Sequence, residues 1–112
     1  MSLKEIDTVI AAREFDLDDG GKVTVTIGLP QPTPGHPDFY CPFRISWPTH
    51  ERASYAIGID TMQALDLALK SVGSDLYSSQ EHREGRLRYL GMKNLGLPVH
   101  NVVSDLVPPE NE

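Results

Sequence analysis

From Val9 to Leu17 the odd positions hold Val9, Ala11, Arg13, Phe15 and Leu17, with Glu14 and Asp16 between them. A two-residue period of this kind predicts a half-buried strand, with Arg13 the one misfit on its inner row. Lys22 to Leu29 repeats the pattern: Val23, Val25, Ile27 and Leu29 alternate with Lys22, Thr24 and Thr26. Asp18-Asp19-Gly20-Gly21 joins the two as a hairpin. A two-residue turn at Asp19-Gly20 would throw the apolar rows onto opposite faces. A three-residue loop of Asp19, Gly20 and Gly21 keeps them together, and predicts the pairs Asp18 with Lys22, Leu17 with Val23 and Phe15 with Val25.

Residues 30 to 37 contain four prolines in eight positions, which removes backbone donors and predicts an extended surface loop that ends the ladder. The alternation resumes with Phe39, Cys41, Phe43, Ile45 and Trp47 against Tyr40, Pro42, Arg44 and Ser46. Pro42 assigns this strand to an edge or a bulge. After a turn at residues 48–51, Ala53, Tyr55, Ile57 and Ile59 alternate with Ser54, Ala56 and Gly58 in a fourth strand. Four successive strands with short joins make an antiparallel meander.

At Asp60-Thr61-Met62-Gln63 the period changes, and the spacing is that of a capping box. Met62, Leu65, Leu69, Val72 and Leu76 then recur at three- and four-residue steps, widened by Ala64 and Ala68. This predicts an amphipathic helix ending between Tyr77 and Arg83. Arg86 to Leu90 can add a short strand, and residues 108–112 read as a frayed acidic tail. The fold class is α+β: about four antiparallel strands in a meander, then one amphipathic helix packed on one face, then an irregular C-terminal segment. The chain reads as one domain over 1–112, with its ordered core over about 6–92.

A net charge of −6, from ten basic and sixteen acidic residues, repels phosphate backbones and anionic lipid, so neither nucleic acid nor a membrane is expected as a partner. One cysteine cannot form an internal disulfide, and no signal-like apolar run opens the chain. These point to a cytoplasmic protein.

The stretches DFYCPFRI (Asp38 to Ile45) and YAIGIDTMQALDLALKSVGSDLY (Tyr55 to Tyr77) resemble a group of small bacterial single-domain proteins of unassigned function. The helix start at Gly58 to Leu65 is similar to that of uncharacterised domains, some carried beside toxin–immunity systems. The resemblance spans residues 6 to 92 and implies a bacterial origin and a small α+β fold. It brings no reaction and no catalytic residues.

Candidate chemistry gathers in GHPDFYCPFRISWPTHE, residues 35 to 51. His36, Cys41 and His50 are ligand types that zinc accepts, but His-x4-Cys-x8-His is no established metal framework. Alternation places Cys41 on the large apolar face, the habit of a small buried hydrophobe. No metal or other cofactor is expected. A pocket built from His36, Asp38, Tyr40 and His50 is the ligand-binding alternative. Arg83, Arg86, Arg88 and Lys93 concentrate positive charge and can hold an anion or an acidic partner, although cations near a helix C-terminus also complement its dipole. No pair of carboxylates or activated nucleophile stands out. The leading expectation is therefore a non-catalytic interaction module. One helix covers only part of one sheet face, so a homodimer is expected if Tyr40, Arg44 and Ser46 line the other face or an edge stays open. The competing expectation is a small-molecule or metal-binding protein, or an enzyme, built on Pro34 to Glu51.

Overall fold

The computed structural model describes residues 2–112. Its long strands are β1 (Val9–Leu17), β2 (Lys22–Gly28), β4 (Phe39–Ser46) and β5 (Glu51–Gly58). They form the expected meander in the spatial order β1-β2-β4-β5. Two-residue strands raise the sheet to six: β3 (Gln31–Pro32) pairs with Tyr40 and Phe39, and β6 (Leu87–Arg88) pairs with β1. The count of four was low because neither short strand is long enough to show a period. The proline-rich loop thus contributes a piece of ladder through Gln31.

The hairpin keeps its apolar rows on one face, but its loop lies one residue earlier than the pattern implied and its pairing slips by two. Phe15 faces Val23, Arg13 faces Val25, and Asp16 rather than Asp18 faces Lys22. Leu17 N–H donates to Gly21 O and Gly20 N–H donates to Leu17 O, so the loop is Asp18-Asp19-Gly20, with Gly20 at φ +90°. A two-residue slip preserves every face, and alternation therefore cannot distinguish the two registers; the left-handed glycine decides it.

β4 is a central strand, flanked by β2 and β5, so Pro42 does not mark an edge. Trp47 N–H donates to His50 O across the turn, and hydrogen-bonded pairs then alternate along β4–β5. This turns the nitrogen of Pro42 toward β2, where the ladder stops at Ile27–Phe43. The Cys41 thiol donates to Gly28 O at 3.4 Å, replacing the N–H that proline lacks.

Helix α1 (Thr61–Ser78) is capped by Asp60, whose carboxylate accepts from Gln63 N–H, while Gln63 Oε1 accepts from Ile59 N–H. Its inward stripe is Ala64, Ala68, Val72, Leu76 and Tyr77, and Met62 is exposed. The stripe is rotated toward the alanines because helix and β5 approach closely: a Cβ on Gly58 would lie 2.4 Å from Ala64 N. Phe15, Val23, Phe43 and Ile45 complete the core beneath it.

A single-turn helix, α2 (Gln80–Arg83), follows a break at Ser79. The core continues past residue 92. Leu95 is fully buried and its N–H donates to Tyr77 Oη at 2.7 Å. The Arg13 guanidinium donates to Leu95 O and Gly96 O and lies 4.3 Å from the centre of the Tyr89 ring. Asn94 N–H donates to Glu112 O, and its side chain to Pro108 O, which draws the last residues back onto the domain.

Candidate functional site

His36 and His50 lie just outside opposite ends of β4. That strand has eight residues, so the two imidazoles are separated by roughly 25 Å of extended backbone. Cys41 lies between them on the helix-facing side, fully buried, with its thiol pushed up to about 11 by desolvation. A protonated thiol sealed from solvent is neither a ready nucleophile nor a metal ligand. Among the described residues, no group of three or more His, Cys, Asp or Glu is placed to hold a metal ion.

The proposed pocket residues also separate. His36 is exposed and Tyr40 is buried on the sheet face away from the helix. Asp38 sits across from Thr33, whose N–H donates to Asp38 O at 2.9 Å. His50 alone reaches a cleft. It stacks on Trp47 with ring centres 5.7 Å apart, and the cleft, about 130 Å³, is walled by Leu17, Asp19, Trp47, Thr49, His50, Glu81 and Arg86. The hairpin loop, the β4–β5 turn and the α2 region build it, three places far apart in the sequence. No local sequence signal joins Asp19, Trp47 and Glu81.

The basic cluster is divided as well. Arg86 forms a 2.7 Å ion pair with Glu84, which lowers the carboxyl through its hydrogen bonds from Gln80 and Arg86. Arg88 donates to Gly91 O, and its backbone pairs with Asp16 on the solvent-facing side of β6. Lys93 offers its carbonyl to His82 Nε2 at 2.8 Å. Arg83 closes α2 as a cation in its last turn, complementing the helix end.

The most continuous unengaged surface is at the other end of the sheet. β5 pairs only with β4, leaving its outer edge unpaired. Cross-strand partners share a face, so Tyr40, Arg44, Ser46, Tyr55 and Ile57 lie on the face away from α1. Tyr55 and Ile57 are each 38% exposed, and Ile59 and Met62 continue the apolar surface at 76% and 79%. The sequence showed the Tyr55-Ile57-Ile59 row but not its direction: the helix takes the small Ala56–Gly58 row, and the large residues face out.

Comparison with family profiles matches residues 11–99 to the domain of unknown function DUF6968. The chain belongs to that family. The match runs from Ala11, within β1, to Val99, beyond the segment carrying Leu95. Neither curated proteins nor solved structures gave a match. No helix among the described residues is long and apolar enough to cross a membrane.

Proposed function

We propose that this DUF6968 domain is a small non-catalytic interaction module, cytosolic and of bacterial origin, that docks a protein partner along β5. The observation that carries this reading is the eight-residue open edge of β5 beside the exposed Tyr55, Ile57, Ile59 and Met62. An unpaired edge presents a row of amide donors and acceptors that a strand from another chain can satisfy, and natural sheets normally protect such an edge with charge, proline or a bulge. Residues 53–58 contain none of the first two. One occupant is a second copy, the homodimer expected from the sequence.

The small-ligand alternative built on Pro34 to Glu51 has one observation in its favour, the cleft at Trp47 and His50. Its volume of about 130 Å³ is below the roughly 300–1,000 Å³ of sites that enclose drug-sized ligands. Magnitude therefore favours the edge. Native mass spectrometry of untagged protein purified from cells tests the choice. A protein-sized mass addition supports the interaction reading; a monomer carrying only a small-molecule or metal increment overturns it.

A further inference from the structure

We infer that the partner of β5 is β5 of a second copy, paired antiparallel about a two-fold axis at Ala56; this rests on the interaction reading above and names its occupant. The hydrogen bond from Trp47 N–H to His50 O, at 2.8 Å, sets the phase of the β4–β5 ladder. Hydrogen-bonded pairs then fall at Ile45–Arg52, Phe43–Ser54 and Cys41–Ala56, so the amides of Glu51, Ala53, Tyr55 and Ile57 point outward. A second β5 must pair through those same odd-numbered residues.

Charge selects the direction. Glu51 and Arg52 open the strand and Asp60 follows its end, with no charged residue between Arg52 and Asp60. Parallel pairing sets like charges side by side, whereas antiparallel pairing brings Arg52 toward the partner's Asp60. Arg52 forms an ion pair with Asp75, Nε to Oδ2 at 3.0 Å, and its side chain remains 57% exposed, within reach of a second acidic group. Side-chain matching selects the register. With Ala56 on the axis, Tyr55 opposes the partner's Ile57 and Ala53 opposes the partner's Ile59, covering apolar surface with apolar surface. Moving the axis to Tyr55 puts Glu51 opposite Ile59 and breaks the match. A like-with-like interface of this type closes after two subunits.

Cysteine cross-linking tests both the partner and the register. Residues in a hydrogen-bonded antiparallel pair have Cα atoms about 5.5 Å apart, within disulfide reach. The double variant Tyr55→Cys/Ile57→Cys, oxidised as purified recombinant protein, is expected to give a covalent dimer at twice the 12.4 kDa chain mass, while Tyr55→Cys alone is not. Buried Cys41 does not compete. Light scattering on the unmodified chain should report a dimer, and Tyr55→Lys/Ile57→Lys a folded monomer by circular dichroism. A dimer in which Tyr55→Cys alone cross-links overturns the Ala56 axis. An unmodified chain that stays monomeric at 100 μM overturns the second-copy assignment, while a different protein bound in material from cells would leave the interaction reading standing.

Discussion

Replacing Arg13 by methionine keeps an apolar stem and removes the charged head. The head donates to Leu95 O at 3.1 Å in a half-buried position and to Gly96 O at 3.2 Å in an exposed one. A charged hydrogen bond in the first setting contributes about 1.5 kcal/mol and the exposed one about 0.5 kcal/mol after solvent competition. The guanidinium over Tyr89 adds about 0.5 kcal/mol at a partly exposed site. Arg13→Met should therefore cost about 2.5 kcal/mol, a fall in melting temperature of roughly 10 °C for a chain of this size. The effect should be concentrated where the head acts. Leu95 N–H, held by Tyr77 Oη, should exchange with deuterium between roughly tenfold and a hundredfold faster, through local release of the 94–97 segment. Urea unfolding followed by Trp47 fluorescence and amide exchange by NMR measure the two quantities. An unchanged midpoint together with unchanged Leu95 protection would refute the view that Arg13 fastens the C-terminal segment to the sheet.

Gly58→Ala places a methyl group 2.4 Å from the backbone nitrogen of Ala64, and backbone cannot move aside as a side chain can. A loss of about 2 kcal/mol in urea unfolding is expected. Asp60→Ala removes the acceptor for Gln63 N–H and should cost about 1 kcal/mol, with Asp60→Asn recovering most of it. Burial raises the Asp75 carboxyl above its ordinary 3.8, against the pull of Arg52 and His100. The folded state then binds a proton more tightly than the unfolded state, so the stability this proton adds is lost as pH rises through the folded value. Stability of the unmodified chain relative to Asp75→Asn should accordingly fall as pH rises from 3.8 through that raised value; a rise over that window in paired urea titrations would contradict it. Cys41 should react with a thiol reagent at pH 8 only after unfolding, since its thiol is sealed and pushed up to about 11; rapid labelling of the native protein would show that the β4 face opens.

The sequence alone determined what depends on neighbours along the chain. Two-residue alternation marked β1, β2, β4 and β5, and Asp60 with Gln63 marked the start of α1. The inward faces of β1, β2 and β4 were also legible, because a half-buried strand turns its apolar row to the core; that of β5 was not. Tertiary structure decided what depends on neighbours across the fold. The hairpin closes at Gly20 because two registers two residues apart share the same faces, and backbone geometry selects between them. Pro42 occupies a central strand because a thiol supplies the hydrogen bond that its nitrogen cannot. Arg13, out of place in the alternation, finds its partners 82 and 83 positions away, a separation no local period reports. The direction of the Tyr55-Ile57 row followed from the helix, which packs so tightly on β5 that only the Ala56–Gly58 side has room for it, leaving the larger side chains beside an open edge.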